Sequence, residues 1–457
     1  MALSQAALAV QGRLIGADAM FHAVTTDSRK AAAGDLFVAL RGERFDGHDF
    51  VAQCLAQGAV AAMVEREVSA DAPQVVVADT RLGLGDLAAH WRGKFDIPLA
   101  AVTGSNGKTT VKEMLAAILR VAGGADSVLA TEGNLNNDIG LPLTLLKLRE
   151  QHRYAVAEMG MNHVGEIAYL THIAKPTVAL INNAQPAHLA GLGSVEAVAR
   201  AKGEIFAGLA ADGTAVINAD DAYAALWRQL AAPHRVLTFG LEQPADVSAE
   251  YQLQADGSVL QLKTPQGNAP VRLAVAGLHN VRNALAAAAA ALAMGVPLPT
   301  IAAGLEHFSG VKGRLQRKEG LGGCVVIDDS YNANPASMRA AIDVLAAVPG
   351  NRILVLGDMG ELGDEAGRLH LEIGARAKAA GIDALFTLGD LSRHMAEAFG
   401  AGAQHFDTRD SNALQALVAA LQPCLRPQTS VLVKGSRFMR MERVVEAIMD
   451  KGASDAA

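Results

Sequence analysis

The stretch Val102-Thr-Gly-Ser-Asn-Gly-Lys-Thr-Thr110 decides the fold of the central part of this chain of 457 residues. It follows an apolar run at 99–102, typical of a buried strand in a parallel sheet, and it precedes a helical pattern at 109–120. A glycine turn in that setting can surround phosphate oxygens with backbone N–H groups. The sequence therefore predicts a phosphate-binding loop, with Lys108 at the β- and γ-phosphates and the Thr109 hydroxyl on Mg²⁺.

The match to the common G-x-x-x-x-G-K-[ST] pattern is imperfect, because its first glycine would fall at position 102, which is valine. The alternative is a glycine turn with an exposed lysine. The flanking strand and helix favour the phosphate-binding interpretation.

Other candidates for chemistry lie near predicted strand ends. Glu158 closes the strand at 154–159, and His188 follows a strand that ends near Asn182. Carboxylate and imidazole groups at the ends of parallel strands suit a metal-bound triphosphate. Taken alone, each residue is more often structural, since a histidine after a strand is usually hydrogen-bonded within its loop. Lys202 alone would be interpreted as a solvated helix lysine.

Composition excludes several classes of protein. Hydrophobic residues make up 51% and charged residues 19% of the chain, so several cores can form. The net charge of −7 argues against a dominant nucleic-acid surface. The three cysteines lie far apart, which gives no zinc knuckle or disulfide framework. The longest apolar run, 284–294, is shorter than the ~20 residues of a membrane span, and 1–16 does not resemble a signal peptide. We expect a soluble, cytoplasmic protein.

Alternation of strands and helices predicts three α/β units. The first ends near Asp96, and glycines at 310 and 313 mark the second boundary. We expect domains at 1–96, 97–312 and 313–457: a small N-terminal α/β domain, a central parallel-sheet ATPase-type domain and a C-terminal Rossmann-like domain. The predicted strands are 35–40, 59–64, 74–78, 99–102, 154–159, 177–182, 214–218, 324–328, 352–356, 384–388 and 430–433, with two or three antiparallel strands in 251–275. The predicted helices include 51–58, 82–95, 109–120, 195–209 and 281–294.

Nine strings together resemble the Mur ligases, over almost the whole chain from Thr26 to Val445. The strings are TGSNGKTT (103–110), TEGNLNNDIGLPLTLL (131–146), AEMGMNHVGEI (157–167), AKGEIF (201–206), GLHNVRNALAA (277–287), GRLQ (313–316), DDSYNANP (328–335), LGDMGELG (356–363) and KGSRFMRME (434–442). The first marks the wider superfamily. The last three are more specific, and they resemble the branch that adds D-alanyl-D-alanine to UDP-N-acetylmuramoyl-tripeptide.

The resemblance implies ATP with two Mg²⁺ ions. Asn280 would contact adenine, Asp329 the ribose and Arg314 the γ-phosphate. The implied ATP-binding residues are Thr103, Gly104, Ser105, Asn106, Gly107, Lys108, Thr109, Thr110, Asn280, Arg314 and Asp329. The implied metal ligands are Thr109, Glu158, His188 and Lys202, with Lys202 carbamylated and therefore anionic. The implied catalytic residues are Lys108, Lys202, His188 and Arg314.

The resemblance also implies two peptide substrates. The N-terminal domain would bind the uridine nucleotide, and the C-terminal loops would receive the dipeptide. The residues implied for the UDP-sugar peptide are Ser28, Arg29, Asp46, His48, Asn134 and Asn137. Those implied near D-alanyl-D-alanine are Asp358, Glu361, Lys434 and Ser436, and these are weaker assignments because substrate-binding loops vary most.

The implied chemistry is carboxylate activation: ATP phosphorylates the terminal carboxylate of the tripeptide, and the dipeptide amine displaces phosphate. A sister ligase that adds one amino acid, or a folylpolyglutamate synthase, remains an alternative. So does a P-loop phosphotransferase or nucleotide switch, which the third domain and the lack of an N/T-K-x-D motif disfavour. We expect a monomer whose third domain swings toward the central one when ligands bind.

Overall fold

The structure, a computed structural model, describes residues 1–68, 72–186 and 189–450 and arranges them around four β-sheets. The N-terminal sheet has the order β1-β5-β4-β3-β2, in which β1 is antiparallel and the other pairs are parallel. Its elements are α1 (Leu3–Ala9), β1 (Arg13–Ile15), β2 (Ala23–Thr25), β3 (Asp35–Val38), α2 (Val51–Ala56), β4 (Ala61–Val64), β5 (Gln74–Val76) and α3 (Thr80–Arg92).

The central sheet is entirely parallel, with the order β11-β10-β9-β6-β8-β7. Its middle strands are buried on both faces, as the continuous apolar runs predict. Its elements are β6 (Leu99–Thr103), α4 (Lys108–Gly123), β7 (Val128–Ala130), α5 (Gly140–Leu145), β8 (Tyr154–Glu158), α6 (Glu166–Ala174), β9 (Val178–Ile181), α7 (Leu189–Leu192), α8 (Val195–Gly203), β10 (Thr214–Asn218), α9 (Ala224–Leu230) and β11 (Arg235–Phe239).

An antiparallel sheet of three strands and two helices completes this central part. They are β12 (Ser248–Leu253), β13 (Ser258–Thr264), β14 (Gly267–Leu273), α10 (Leu278–Ala293) and α11 (Leu298–Glu306). The alanine-rich helix α10 is buried along most of its length, because its small side chains let it pack closely beside α4 in one core. The predicted antiparallel segment is therefore confirmed as three strands.

The C-terminal sheet has the order β15-β16-β20-β17-β18-β19, and β15 alone is antiparallel to its neighbour. Its elements are β15 (Gln316–Glu319), β16 (Val325–Asp329), α12 (Pro335–Ala346), β17 (Asn351–Gly357), α13 (Ala366–Ala379), β18 (Ala384–Leu388), α14 (Arg393–Phe399), β19 (Ala403–Phe406), α15 (Ala413–Leu421), β20 (Thr429–Lys434) and α16 (Glu442–Ile448). Apolar cores lie on both faces of this sheet, which is the layered arrangement predicted.

The predicted strands are confirmed to within a few residues at each end. One helix differs: the predicted span 195–209 ends as an α-helix at Gly203 and continues as a 3₁₀ turn, Glu204–Phe206. Edge strands β1, β2, β7, β11, β15 and β19 were not predicted. In the described part of the chain, no helix has both the length and the apolar character needed to cross a membrane.

Candidate active site

The phosphate-binding loop follows β6 and begins helix α4, as predicted. Gly107 is the N-cap residue of α4 and has φ of +78°. A Cβ there would lie 2.4 Å from Oδ1 of Asn283 and 2.5 Å from Nδ2 of Asn182. Only glycine satisfies both the left-handed backbone and this close approach. The loop is therefore held against α10 and the end of β9 with the first N–H groups of α4 beside it.

Lys108 opens helix α4, and its Nζ donates to the carbonyl of Gly104 over 2.7 Å. Burial lowers the pKa of Lys108, Glu158 opposes that shift, and the nearby Arg314 adds to it. Phosphate oxygens bound beside Lys108 would supply negative charge and so stabilise its protonated form.

Glu158 ends β8 and is 3% exposed. Its Oε1 accepts from Nδ2 of Asn136 over 2.8 Å, whereas Oε2 is buried without a hydrogen-bond partner among the described residues. A buried carboxylate oxygen without a partner is costly unless a cation meets it. This orphaned oxygen fits a divalent cation at the predicted position. Asn136 was not among the predicted site residues.

Lys202 is 1% exposed, near the end of α8. No described residue accepts a hydrogen bond from its Nζ. Burial lowers its pKa well below the ordinary value, and the positive charge of Lys108 adds to the effect. The interpretation of Lys202 as a solvated surface lysine is therefore wrong. His188, the other predicted metal ligand, lies outside the described residues.

The C-terminal unit reaches the phosphate loop through two side chains. Nη2 of Arg314 donates to the Thr109 hydroxyl over 3.0 Å, and Nδ2 of Asn334 donates to Oδ1 of Asn106 over 2.7 Å. The predicted approach of Arg314 to the loop is thus present. Asn334 was not predicted, although it lies in the quoted string DDSYNANP.

Two adjoining cavities meet at this loop. The larger, of about 700 Å³, is bordered by Lys108, Glu158 and residues of all three units. The smaller, of about 490 Å³, lies between α10 and the C-terminal unit. Five residues border both cavities: Asn106, Gly107, Arg314, Ser337 and Lys434. The phosphate loop and Arg314 therefore lie where the two cavities meet.

The predicted adenine and ribose contacts border the smaller cavity. Asn280 donates from Nδ2 to the carbonyl of Ala276 over 2.8 Å. Asp329 is bonded to Nζ of Lys434 over 2.6 Å and also accepts from the N–H of Leu315. Burial raises the pKa of Asp329, and the charge of Lys434 opposes that rise. Lys434, predicted near the dipeptide, also donates from Nζ to the carbonyl of Asn332 over 2.8 Å and borders both cavities.

The side chains of two predicted site residues, Thr103 and Asp358, form hydrogen bonds with the backbone. The Thr103 hydroxyl is buried and donates to the Met159 carbonyl over 2.9 Å, so it is not free for a phosphate. The Asp358 carboxylate accepts three backbone N–H groups from residues 390–392. Among the described residues that border the larger cavity, Glu361 is present and Asp358 is not. The Asp358 carboxylate therefore stabilises a turn, and its place near the dipeptide stays a prediction.

Ser436 borders the larger cavity, but its hydroxyl is occupied. Its Oγ accepts from the N–H of Gly360 over 2.8 Å and donates to the Ala333 carbonyl over 3.2 Å. Ser105 is similarly committed to both backbone groups of Gln185. By these hydrogen bonds, the two hydroxyls hold in place the backbone segments that form the cavity walls.

Four of the residues predicted for the UDP-sugar lie in the N-terminal unit. Both ring nitrogens of His48 are engaged: Nδ1 by Asp46 over 2.6 Å and Nε2 by the N–H of Glu65 over 2.8 Å. The hydrogen bonds from His48 hold the pKa of Asp46 well below its usual range, against the opposing effect of desolvation. Arg29 forms an exposed pair with Asp27, and beside it Ser28 is only partly buried. His48 therefore joins Asp46 to the backbone of Glu65, and contact of these four residues with a UDP-sugar stays a prediction.

The larger cavity reaches the N-terminal unit at Arg81, on α3. Arg81 pairs with Asp138 of the central unit over 2.5 Å. Asn134 and Asn137 border the same cavity, and Oδ1 of Asn137 accepts from the N–H of Gly140 over 2.9 Å. The Arg81–Asp138 pair was not predicted, because its partners are distant in sequence and belong to different units.

Comparison with known proteins supports one family. Models of the Mur ligase family match the chain in three parts: the catalytic domain at 20–92, the middle domain at 102–291 and the glutamate ligase domain at 313–437. The chain is 46% identical to the UDP-N-acetylmuramoyl-tripeptide--D-alanyl-D-alanine ligase of Escherichia coli, with 98% of each chain covered. It is 39% identical to the ligase of the same name from Synechocystis, covering 94% of this chain and 93% of that one.

Comparison with solved structures supports the same family. A crystal structure of MurF from Acinetobacter baumannii has a TM-score of 0.91 with this chain, at 42% identity and 98% coverage of each. MurF from Thermotoga maritima in complex with ADP has a TM-score of 0.82 at 28% identity, covering 93% of this chain and 96% of that one. An ATP-dependent ligase needs a phosphate-binding loop beside a buried carboxylate, and the described residues provide both at Lys108 and Glu158. The chain belongs to the Mur ligase family.

Proposed function

We propose that this chain is an ATP-dependent amide ligase that joins D-alanyl-D-alanine to UDP-N-acetylmuramoyl-tripeptide, which yields a UDP-muramoyl-pentapeptide precursor of peptidoglycan. The observation that carries the proposal is the meeting of Lys108, Glu158 and Arg314 at one loop, with a peptide-sized cavity on one side and a nucleoside-sized cavity on the other. The curated relatives named above support the choice of substrates.

The reaction requires two anions to meet. The γ-phosphate of ATP moves to the terminal carboxylate of the tripeptide, giving an acyl phosphate and ADP. The amine of the dipeptide then attacks the carbonyl carbon, and phosphate leaves as the amide bond forms. Lys108 and Arg314 are placed to offset repulsion between the carboxylate and the triphosphate. Enclosure between the units excludes water, which would hydrolyse the acyl phosphate.

We propose that Mg²⁺ is held by the unpartnered Oε2 of Glu158 and the hydroxyl of Thr109, with phosphate oxygens completing its coordination. Bound there, Mg²⁺ supplies charge neutralisation at the transferring phosphate. The described residues contain no group of three or more His, Cys, Asp and Glu side chains suited to a metal. Mg²⁺ commonly takes only one or two protein carboxylates beside substrate phosphates.

Carbamylation of Lys202 belongs to the same proposal. Its burial favours the neutral amine, which is the nucleophilic form. The amine nitrogen would attack the carbon of CO₂, form an N–C bond and lose a proton, which leaves a carbamate anion. Conversion of this amine into an anion would place a negative charge near Lys108 and provide oxygen ligands for a second Mg²⁺.

A sister ligase is the alternative that shares this scaffold. A folylpolyglutamate synthase of Mycobacterium tuberculosis matches the chain at 19% identity with a TM-score of 0.63, which demonstrates the fold alone. A phosphotransferase that forms no amide is the other alternative. The named relatives that cover the whole chain favour the dipeptide ligase over both.

The test is ADP release by the purified chain in the presence of ATP and Mg²⁺. We expect release to require both the UDP-tripeptide and an acceptor, and D-alanyl-D-alanine to be preferred over diaminopimelate, L-lysine or glutamate at equal concentration. Preference for a single amino acid would indicate a sister ligase, and ADP release without amide formation a phosphotransferase. Lysine- and diaminopimelate-containing tripeptides, assayed in parallel, would identify the third residue.

A matched pair of lysine variants checks the nucleotide site. Lys108→Ala should lose about 10²–10³-fold in kcat, as expected when a charge contact at the transferring group is removed. Lys263→Ala removes an exposed lysine that pairs with Glu250 and should retain full turnover. Equal activity of the two variants would contradict the nucleotide-site assignment.

We further propose that the enzyme acts as a monomer in the cytoplasm. A single chain contributes Arg81, Lys108 and Arg314 to one site, which needs no partner subunit. Both proposed nucleotide substrates, ATP and a UDP-linked peptide, are cytoplasmic metabolites. Light scattering coupled to size exclusion should give the mass of one chain, and cell fractionation should recover the ligase with the cytoplasmic fraction.

A further inference from the structure

Tyr331, in the string DDSYNANP, meets two arginines with its ring. Cζ of Arg314 lies 4.5 Å from the ring centroid, and Cζ of Arg437 lies 5.6 Å from it. Both distances fall within the range of cation–π attraction. Tyr331 itself borders the larger cavity and is only partly exposed. Arg314, the arginine proposed to contact the γ-phosphate, therefore lies over the ring of Tyr331.

Hydrogen bonds alone fix the guanidinium of Arg314 weakly. Its Nη2 donates to Thr109, while its Nε is buried without a hydrogen-bond partner among the described residues. One bond leaves a long side chain free to rotate about that contact. A ring face beneath the planar guanidinium restricts this rotation, because stacking favours one plane.

The backbone holds Tyr331 where it can perform that role. Its N–H donates to the carbonyl of Gly313 over 3.1 Å, directly before Arg314. The N–H of Leu315, directly after Arg314, donates to Oδ1 of Asp329 over 3.2 Å. The segment that carries the arginine is thus tied on both sides to the segment that carries the ring.

We propose that Tyr331 is a positioning residue, which orients the guanidinium of Arg314 toward Thr109 before the phosphoryl group is transferred. This inference rests on the proposed ligase function. Because a pre-oriented charge needs no rearrangement during the reaction, Tyr331 acts on kcat through Arg314. The part of Tyr331 that matters is its ring, and its hydroxyl is dispensable.

Two substitutions separate the ring from the hydroxyl. Tyr331→Phe retains the ring and should keep most of the wild-type kcat. Tyr331→Leu removes it and should lower kcat about tenfold, the scale of one desolvated cation–π contact, while KM for the UDP-tripeptide and the dipeptide changes less than about twofold. Tyr251→Leu, at a 44% exposed tyrosine on β12, is the matched control and should be fully active. Tyr331→Met repeats the test with a second ringless side chain, should the leucine variant melt early.

A double-mutant cycle tests whether Tyr331 acts through Arg314. In an Arg314→Lys background, whose compact ammonium has no plane to orient, Tyr331→Leu should lower kcat less than about twofold. The proposal is overturned if both ringless variants keep wild-type kcat, if the loss is equal in the wild-type and Arg314→Lys backgrounds, or if Tyr331→Phe loses as much as Tyr331→Leu. Failure of the wild-type enzyme to ligate would instead contradict the proposed function.

Discussion

Asn334 donates from Nδ2 to Oδ1 of Asn106 over 2.7 Å, and so joins the C-terminal unit to the phosphate loop. The same side chain also caps helix α12, since its Oδ1 accepts from the N–H of Ser337 over 2.9 Å. One residue therefore begins a helix in one unit and contacts the nucleotide loop of another. The two duties can be separated by substitution.

Asn334→Ser should weaken nucleotide binding with little loss of stability. Serine is a good N-cap residue but is too short to reach Asn106, so KM for ATP should rise several-fold at nearly unchanged melting temperature. Asn334→Ala should have the same KM for ATP as Asn334→Ser. It should also lose about 1 kcal/mol of folding stability, because alanine cannot cap helix α12. Steady-state kinetics and chemical denaturation measure the two effects. Equal KM values for wild type and Asn334→Ser would show that the contact with Asn106 does not assist binding.

Movement of the C-terminal unit toward the central unit remains a prediction. The structure corresponds to the closed arrangement of these units. Arg314 and Asn334 both touch the phosphate loop in this arrangement. A cleft that admits a UDP-peptide must open between these contacts, and Gly310 and Gly313, both with positive φ, flank the connecting segment. Small-angle scattering should give a smaller radius of gyration with nucleotide and UDP-tripeptide than without them. An identical radius in both conditions would support a preformed site.

Glu158→Gln should lower kcat by more than about 10²-fold, because it neutralises the carboxylate that carries the unpartnered oxygen. The readout beyond activity is the thermal shift caused by Mg²⁺ with ADP, which should shrink in the variant. Glu132→Gln, at an exposed carboxylate paired with Lys147, is the control and should keep both properties. A wild-type Mg²⁺ response in Glu158→Gln would place the cation elsewhere.

Lys202→Ala should be nearly inactive and partly rescued by short-chain carboxylic acids, which return an anion to the vacated space. Removal of CO₂ and bicarbonate should lower wild-type activity reversibly, because a carbamate forms from the neutral amine. Arginine cannot be carbamylated, so Lys202→Arg should also be inactive. Full activity of that variant would refute the carbamate.

Stability should fall in mild acid partly because of His370. This ring is fully buried: Nε2 accepts from the N–H of Met359 over 3.0 Å, and Nδ1 faces the Ala366 carbonyl at 2.6 Å. Burial lowers the pKa of His370 below 6.5, an effect that Ala366 and Asp358 oppose and His394 increases. As pH falls through 6.5, the unfolded chain takes up a proton that the folded chain refuses, so unfolding becomes easier. The contribution of neutral His370 to the free energy of unfolding is fully present above pH 6.5. Below pH 6.5 it decreases by at most about 1.4 kcal/mol per pH unit.

The matched variant is His370→Gln, whose side chain has no proton to gain. Denaturant titrations between pH 5 and 7 should show a shallower fall in stability for this variant than for wild type. Other histidines with lowered pKa values, among them His279 and His405, contribute to both curves and cancel in the comparison. Parallel curves would exclude His370 as a source of the acid sensitivity.

The sequence was sufficient where backbone chemistry restricts the choice of residue. The phosphate loop was predictable because Gly107 needs a left-handed backbone between a buried strand and a helix. Strand β15 was missed because Gln316–Glu319 is polar throughout, as suits an exposed sheet edge. Its neighbour β16, which lies inside the sheet and ends in the buried residues Asp328 and Asp329, gave the expected apolar signal.

Side-chain duties were harder to predict than backbone positions. Asp358 follows a buried strand and Glu158 ends one. The Asp358 carboxylate accepts three backbone N–H groups, whereas Oε2 of Glu158 has no hydrogen-bond partner among the described residues. A sequence pattern does not distinguish these cases, because the difference depends on which loop folds over the strand end. The Arg81–Asp138 pair and the Arg314 contact with Tyr331 likewise depend on how separate units meet.

The place of β20 in the C-terminal sheet has a consequence for how this protein is made. Strand β20 (Thr429–Lys434), the last strand among the described residues, lies between β16 and β17, two strands that are synthesised well before it. Until β20 has left the ribosome, those two strands have no neighbour between them and the buried partner of Asp329 is missing. The N-terminal and central units can fold during translation, whereas the sheet of the C-terminal unit cannot form until Thr429–Lys434 has been synthesised. A nonsense mutation shortly before Thr429 would therefore remove the middle of a sheet, and the nascent product would be a substrate for proteolysis.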